Sequence, residues 1–132
     1  MQKVRLLSVC DVYQPQTIAT KEFCPTGKYI VYGANGAIGR YIKYNHAESE
    51  ILMACRGATC GAINVSQPYS WINGNAMVIT PNGTIDISKK YLHIAIKIFV
   101  YFGNSAKNAF DPYILVDKYT KKYYNTICAN SV

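Results

Sequence analysis

The sequence predicts an α/β domain of the α+β type, in which a curved, mainly antiparallel sheet of short strands is flanked by helices. Half of the 132 residues are apolar, which is enough for one domain to bury its own core. Between Tyr29 and Ile79, short β-prone runs are separated by glycine, asparagine and proline, whereas the residues after Ser88 have helical periodicity. Because the connections between the runs are too short for parallel crossovers, we expect antiparallel pairing.

The N-terminal stretch Val4–Val12 is predicted to form a short helix that ends before Pro15. Its apolar residues would lie on one face of that helix. They are Val4 and Leu7 at helical spacing, with Leu6, Val9 and Cys10 beside them.

Five runs rich in β-branched and aromatic residues are predicted to form the strands of the sheet. Each run is short and is bounded by glycine, asparagine or proline. The runs are residues 29–32, 41–44, 51–55, 62–65 and 76–79.

A helix is predicted to begin at Lys89 and to end near Gly103. Asp86 or Ser88 supplies a capping side chain at its start, and glycine favours its end. Lys89 and Lys90 open its exposed face. Its core-facing stripe is predicted to be Leu92, Ala95, Ile96, Phe99 and Phe102.

A second helix is predicted to begin at Asp111-Pro112, a capping residue followed by proline in the first turn. The apolar side of this helix would consist of Val116, Tyr119, Tyr123 and Ile127.

The formal net charge is +7, and the excess is unevenly spread. Residues 1–88 carry seven basic and five acidic side chains, whereas residues 89–132 carry seven basic and two acidic ones. Such an excess favours a polyanionic partner, because each phosphate that is neutralised releases counterions.

The five cysteines are an odd number and contain no C-x-x-C pair, so we expect reduced, buried thiols and neither a metal site nor a cofactor. No apolar run reaches the ~18–20 residues that a membrane span requires, and the N-terminus lacks the apolar region of a signal peptide. We therefore expect a cytoplasmic chain that does not act on membranes.

The segment Tyr29–Tyr41 has the glycine spacing G-x-x-G-x-x-G of short-chain dehydrogenases, at Gly33, Gly36 and Gly39. A dinucleotide-binding loop needs a helix next and an acidic residue about 20 positions later. Here the residues after Gly39 are β-prone, the Tyr-x-x-x-Lys pair of that family is absent from the sequence, and Asn35-Gly36 favours a hairpin. We therefore expect a strand–turn–strand element, and a nucleotide-dependent enzyme is the weakest of the alternatives.

Three segments of the sequence carry short motifs in a fixed order. Residues 25–41 contain Val-Tyr-Gly-Ala-Asn-Gly-Ala-Ile-Gly, residues 50–64 contain Ile-Leu-Met-Ala-Cys-Arg-Gly-Ala, and residues 70–81 contain Asn-Ala-Met-Val-Ile-Thr-Pro. The third segment leads into Tyr-Leu-His-Ile-Ala-Ile at residues 91–96. Each segment alone is a weak signal, whereas their common order is more specific: in order and in register, they resemble the target recognition domain of type I restriction–modification DNA specificity subunits.

The resemblance implies a non-catalytic module that reads a half-site of double-stranded DNA. A separate methyltransferase (modification) subunit would supply the chemistry and connect the module to the restriction subunit. Residues 1–103 would be the target recognition domain, and residues 104–132 would be a C-terminal extension, helical in our prediction, that departs from the family pattern. Members usually hold two such domains. A half-subunit that forms a homodimer, a truncated product and an excised domain therefore all stay open.

Candidate DNA-contacting residues follow from side-chain chemistry. Arginine reads guanine and asparagine reads adenine in the major groove, and threonine contacts a base or a phosphate. The candidates in or beside predicted turns are Asn35, Arg40, Lys43, Arg56, Thr59 and Asn73. Gly33, Gly36 and Gly57 are expected to shape the loops, and turn geometry alone is an alternative role for these glycines. Internal salt bridges are an alternative for Arg40 and Arg56.

A second functional class is a protein-interaction or inhibitory fragment, which would compete with, or assemble beside, a complete specificity subunit. Copurification with a methyltransferase subunit in the absence of DNA would favour that class.

Overall fold

The computed structural model describes residues 2–54, 59, 61–103, 113–116 and 123–128. The chain divides into two compact units, one of residues 1–11 and 80–132 and the other of residues 12–79. In chain order the elements are β1 (Gln2–Arg5), α1 (Leu6–Val9), β2 (Cys10–Tyr13), a 3-10 turn (Thr20–Glu22), β3 (Tyr29–Gly33), β4 (Gly36–Tyr41), β5 (Ile51–Ala54), β6 (Ile63–Val65), β7 (Trp71–Ile72), β8 (Ala76–Pro81), α2 (Lys89–Gly103), β9 (Tyr113–Val116) and β10 (Tyr123–Cys128).

In the first unit, β1, β9 and β10 form an antiparallel sheet with β9 in the centre. The β1–β9 register places Gln2 opposite Val116 and Arg5 opposite Tyr113. The helix α2 lies against β10. Backbone hydrogen bonds thus join β1 to β9, a strand that lies far later in the sequence.

The predicted helix α2 is confirmed. Ser88 is its N-cap, because the Ser88 Oγ accepts a hydrogen bond from the backbone amide of Tyr91 at 3.1 Å. Leu92, Ala95 and Ile96 are fully buried, as their spacing predicts. The predictions for the side chains of Phe99 and Phe102 fall outside the described part of the structure.

The predicted N-terminal helix is wrong over most of Val4–Val12. Only Leu6–Val9 is helical, and this single turn connects β1 to β2. Leu6 and Val9 are buried, but a short apolar run of this kind has no periodicity that separates a helix from a strand. Backbone pairing with β9, which lies far later in the chain, explains why β1 is a strand.

The second predicted helix is also wrong where the structure describes it. Val116 lies in β9, and Tyr123 and Ile127 lie in β10, so these positions belong to strands. Their three- and four-residue spacing is accidental, since the residue types are β-branched and aromatic. Asp111-Pro112 and Tyr119 lie outside the described residues.

Two further sheets are formed mainly by the second unit. One has the strand order β2-β8-β5-β6 and the other has the order β4-β3-β7, and the chain passes between the units inside β2 and β8. β5 is antiparallel to β6 and β8, whereas β3 is antiparallel to β4 and parallel to β7. The predicted α+β class with mainly antiparallel pairing is confirmed, although the strands among the described residues form three sheets and the parallel β3–β7 pair was not predicted.

Four of the five predicted runs coincide closely with β3, β5, β6 and β8. The predicted run at 41–44 is displaced, because the strand β4 spans Gly36–Tyr41 and ends where the prediction begins. The two-residue strand β7 has too few residues to form a periodic pattern.

The strands β3 and β4 form a hairpin with the two-residue turn Ala34-Asn35, because Gly33 pairs with Gly36. Gly36 has a φ of +116°, which side chains rarely tolerate. The register shifts between Val31 and the next residue, so Ile38 is the extra residue of a bulge. This strand–turn–strand element confirms the prediction and removes the dinucleotide-binding alternative, because a strand and not a helix follows the glycine turn.

The core of the second unit has two groups of buried side chains. The larger group comes from β3, β5, β7 and β8, and the smaller one surrounds Trp71. The first group is Tyr32, Leu52, Ile72, Ala76 and Val78, and the second is Ile18, Val31 and Trp71 with the partly buried Phe23 and Tyr41. Both faces of the β3–β4 hairpin are therefore held by packing, which fixes the position of the residues at its ends.

Candidate nucleic-acid interface

The second unit has a pocket of about 410 Å³ beside the end of the β3–β4 hairpin that lies opposite its turn. We call it the tyrosine pocket. Its polar and aromatic lining consists of Lys28, Tyr29, Arg40, Tyr44, Gln67 and Tyr69, and Ile30, Pro68 and Ser70 complete it. Two cationic side chains, three tyrosine rings and an amide thus meet around one concave surface.

Arg40, a residue singled out from the sequence, lines this pocket. Its Nε donates a hydrogen bond to the carbonyl of Gly27 at 2.7 Å, and its Nη2 donates one to the carbonyl of Lys28 at 3.1 Å. These two bonds fix the plane of the guanidinium. Nη1 takes part in neither bond and the residue is exposed, so Arg40 offers an anion donors in a fixed orientation.

The Tyr44 ring contacts the rings of Tyr29 and Tyr69 edge to face. The ring centroids of Tyr29 and Tyr44 are 5.0 Å apart at an interplanar angle of 67°, and those of Tyr44 and Tyr69 are 5.2 Å apart at 88°. Lys28 Nζ lies 5.6 Å from the centroid of the Tyr29 ring, within the range of a cation–π contact. Tyr44 and Tyr69 nevertheless remain 43% and 55% exposed, so the pocket presents free ring surface to solvent.

The backbone of Tyr69 has an unusual conformation. Its φ is +53°, and among the described residues other than glycine it alone has a positive φ. A side chain in this left-handed region costs free energy, which the surrounding bonds must supply. The amide of Tyr69 donates to the carbonyl of Ala47 at 3.2 Å, which ties this residue to the segment before β5.

Hydrogen bonds on both sides hold the segment that carries Tyr69. The Ser70 Oγ donates to the carbonyl of Gln67 at 2.9 Å, and the backbones of Ser70 and His46 exchange two hydrogen bonds of 3.1 Å. The amide of Gln67 donates to the buried Tyr32 hydroxyl at 3.2 Å. Residues 67–70 are therefore anchored to the core before any ligand arrives.

Tyr44 is anchored through its neighbour Asn45. The Asn45 Oδ1 accepts a hydrogen bond from the amide of Ile72 at 2.8 Å, and its Nδ2 donates to the carbonyl of Ile72 at 3.0 Å. The side chain thus pairs with the backbone of β7 as a neighbouring strand would. This pairing positions the exposed ring of Tyr44 against Tyr69.

The predicted residues Asn35 and Thr59 lie elsewhere in the second unit. Asn35 is exposed in the hairpin turn, and Thr59 is exposed in the connection between β5 and β6. Asn64 Nδ2 donates to the carbonyl of Ala34 at 3.2 Å, which joins the hairpin turn to β6 beside that connection. The structure therefore places Asn35 at the end of the hairpin opposite Arg40.

Asn73, which was selected from the sequence as a DNA reader, has its side chain hydrogen-bonded inside the fold. Asn73 is only 5% exposed. Its Oδ1 accepts hydrogen bonds from the amide of Ile18 at 3.1 Å and from Nε1 of Trp71 at 3.0 Å, and its Nδ2 donates to the carbonyl of Ile18 at 3.3 Å. The side-chain amide of Asn73 is therefore committed to bonds inside the fold. The turn-like sequence around it does not reveal that this turn is buried.

The other selected residues are Lys43, Gly33, Arg56 and Gly57. Lys43 is exposed one residue before Tyr44. Gly33 is packed tightly, since a Cβ at this position would lie 3.2 Å from Asn75 Nδ2 and from methyl carbons of Ile38. Arg56 and Gly57 lie outside the described residues, so their predicted roles stay predictions.

Three ionisable groups, none of which lines the tyrosine pocket, have shifted pKa values. Burial raises the pKa of Cys10 to about 12, with a contribution from the Asp11 carboxylate. Hydrogen bonds from the Thr26 hydroxyl and backbone, and one from the Gly27 backbone, lower the pKa of Cys24. Partial burial lowers the pKa of His93, and the charge of Lys97 adds to the effect. Across the described residues no His, Cys, Asp and Glu side chains gather as a metal site, and none of the described helices is long and apolar enough to cross a membrane.

Sequence reasoning missed most of the tyrosine pocket. Lys28, Tyr44 and Tyr69 were not among the residues selected from the sequence, although all three line the pocket. The run Tyr-Ile-Lys-Tyr at 41–44 was assigned to a strand, which hid the exposure of Tyr44. The only available signal was the repeated proximity of tyrosine to lysine and arginine at both edges of the hairpin.

Three solved structures resemble this fold. The S subunit of the type I restriction-modification system from M. genitalium matches with a TM-score of 0.65 and 18% identity, over 76% of this chain and 27% of that one. The HsdS subunit from Thermoanaerobacter tengcongensis matches with a TM-score of 0.55 and 16% identity, over 85% and 32% of the two chains. A chain from work on complex assembly and conformational transition of the type I R-M system matches with a TM-score of 0.55 and 15% identity, over 93% and 32%.

These matches concern the fold, and the chain spans roughly a third or less of the length of the structures that it resembles. No curated protein matches the sequence. The family model described as the type I restriction modification DNA specificity domain matches residues 1–125. Since this match covers nearly the whole sequence, the chain belongs to the type I restriction modification DNA specificity domain family.

Proposed function

We propose that this chain binds double-stranded DNA in a sequence-specific manner and that the tyrosine pocket and its flanking lysines form part of the contact surface. The observation that carries the proposal is the family match over residues 1–125, in a family named for DNA specificity. The chain itself would supply recognition and no catalysis, and the reaction would occur on a separate subunit.

The charges and exposure of the second unit support this surface. Lys28, Arg40 and Lys43 are exposed cations within one hairpin and the segments that flank it. Phosphate contacts by such residues position a protein on the duplex, whereas base contacts specify the sequence. Asn35 occupies an exposed turn position at the other end of the hairpin, and Thr59 is exposed in the connection between β5 and β6, so both are candidates for contacts to base edges.

The partners follow from the family. We propose that a methyltransferase subunit binds this chain and that the restriction subunit joins through it, as complex assembly in the type I R-M system is the subject of one matched structure. A homodimer would provide two recognition domains if each chain reads one half-site. Size-exclusion chromatography with light scattering, with and without the methyltransferase subunit, tests both points.

The test of DNA recognition is selection from a pool of random duplexes, followed by anisotropy titrations of the recovered sequence. We expect one enriched motif, and an affinity for it whose logarithm falls linearly with the logarithm of the salt concentration. Lys28→Ala and Lys43→Ala should weaken binding to all duplexes, whereas Lys90→Ala on α2 is the matched control from the other unit. Failure to enrich any motif at low salt would contradict sequence-specific recognition.

Replacement of Arg56, which lies outside the described residues, tests whether this arginine reads a base. If this arginine reads a base, Arg56→Ala should cost about 1–3 kcal/mol on the selected sequence and much less on random duplexes. Equal losses on both kinds of duplex would show that Arg56 does not specify the sequence.

A further inference from the structure

We propose that the tyrosine pocket receives one unstacked nucleotide of the bound DNA, with its base against Tyr44 and Tyr69 and its phosphate near Lys28 and Arg40. This inference rests on the proposed DNA-binding function and goes beyond it, because it assigns an extrahelical nucleotide to a particular cavity.

The shape of the pocket excludes a base that remains paired. A pocket of about 410 Å³ is within the size range of small-molecule sites. Bases stacked within a duplex cannot enter a concave cavity on a protein surface, so only a group that protrudes from the duplex can fill it. The two protruding candidates are a backbone phosphate and a nucleotide that has left the stack.

The aromatic lining favours the nucleotide over a phosphate alone. The Tyr44 and Tyr69 rings meet at 88°, so they form two walls of a corner, and each keeps roughly half of its surface exposed. A phosphate gains little from ring surface, whereas every base has a face that stacks on an aromatic side chain. The exposed amide of Gln67 adds a donor and an acceptor for the edge of a base.

The charges of the pocket match the phosphate that accompanies such a base. Lys28 Nζ lies 5.6 Å from the centroid of the Tyr29 ring, and the Arg40 guanidinium is fixed by its bonds to Gly27 and Lys28. Both cations line the cavity that the tyrosines form. A nucleotide, which is aromatic at one end and anionic at the other, is complementary to this arrangement.

The conformation of Tyr69 indicates preorganisation. A tyrosine at a φ of +53° is strained, and glycine would remove the strain. The Ala47 carbonyl and Ser70 nevertheless hold Tyr69 in place, which keeps the ring at the mouth of the pocket. Strain that is retained at an exposed aromatic residue is typical of a binding site.

The experiment compares two duplexes that contain 2-aminopurine, one with this base in a single-nucleotide bulge and one with it fully paired. The full chain should bind the bulged duplex about 5- to 150-fold more tightly, the range that stacking of one base on an aromatic ring provides. The emission of the bulged base should change on binding. Tyr69→Gly should abolish both the preference and the emission change, while Tyr44→Phe, which keeps the ring, should retain them.

The controls separate this inference from the proposed function. Val65→Ala truncates another exposed apolar side chain of the same unit that does not line the pocket, and it should leave the preference intact. Two results would overturn the pocket assignment but leave duplex binding standing. One is equal affinity of the wild-type chain for the bulged and the paired duplex. The other is a Tyr69→Gly variant whose affinity falls by the same factor for the bulged and the paired duplex. Absence of binding to any duplex would overturn the proposed function itself. Thermal melting of Tyr69→Gly confirms that the variant folds, since glycine suits this backbone conformation.

Discussion

The indole Nε1 of Trp71 donates a hydrogen bond to the Oδ1 of Asn73 at 3.0 Å, and both residues are buried. The same oxygen accepts the amide of Ile18, a residue far away in the sequence. Asn73 therefore joins the segment after β2 to the end of β7 and satisfies two donors that would otherwise be buried without a partner.

Replacement of Asn73 should therefore affect folding and not DNA sequence preference. We expect Asn73→Ala to lower the free energy of unfolding by about 2–4 kcal/mol, because the Trp71 and Ile18 donors lose their acceptor. Urea denaturation measures this change. The control is Asn35→Ala in the exposed hairpin turn, which should change stability by no more than about 0.5 kcal/mol. Preserved stability in Asn73→Ala would show that water replaces the side chain.

The difference between Asn73 and Ser88 shows how far the sequence is informative. A cap before a periodic apolar stripe is a local pattern, so Ser88 and α2 were predictable from adjacent residues. The burial of Asn73 depends on its contact with Ile18, 55 residues earlier, which no local pattern contains. The same reasoning explains why residues 4–5 of β1 were included in the predicted helix Val4–Val12, and why the contribution of Tyr69 to the tyrosine pocket was missed.

Ser88→Ala tests the helix cap. The variant should destabilise the protein by about 1 kcal/mol, because the amide of Tyr91 loses the Ser88 Oγ as its acceptor. Ser88→Asp should retain most of the stability, since aspartate caps equally well. Chemical denaturation followed by circular dichroism provides the measurement. If Ser88→Ala and Ser88→Asp were equally destabilised, the cap would contribute through something other than a side-chain acceptor.

Gly39 and Phe23 should be energetically coupled. A Cβ at Gly39 would lie 2.6 Å from the Cδ2 of the Phe23 ring, so Gly39→Ala requires the ring to move. We expect Gly39→Ala to cost about 1–3 kcal/mol in wild type, in the range of overpacking, and clearly less in a Phe23→Ala background. A double-mutant cycle of unfolding free energies measures the coupling. Additive effects would mean that the backbone of β4, and not Phe23, determines the cost.

Cys10 should make stability fall at alkaline pH. Burial raises the pKa of its thiol from 9.0 to about 12, so the folded protein holds a proton that the unfolded chain releases between these pH values. Its stabilising contribution is complete below pH 9 and is lost as the pH rises towards 12, by up to about 1.4 kcal/mol per pH unit. Urea titrations at several pH values on both sides of the lower pKa give the free energy of unfolding of wild type and Cys10→Ala. Above that pKa, this free energy should fall more steeply with pH in wild type than in Cys10→Ala. Parallel slopes would contradict a buried neutral thiol.

Two substitutions of Arg40 distinguish the effect of its hydrogen bonds from the effect of its charge on DNA binding. Arg40→Lys keeps the charge but cannot hold both the Gly27 and the Lys28 carbonyl, so we expect a loss of about 1–2 kcal/mol in stability. The salt dependence of DNA binding by Arg40→Lys should stay close to that of wild type. Arg40→Gln removes the charge, and the slope of log affinity against log salt should then decrease by about 1 if Arg40 contacts one phosphate. Lys90→Gln on α2 is the matched control, and a slope change of equal size in that variant would show that the effect comes from overall charge and not from the tyrosine pocket.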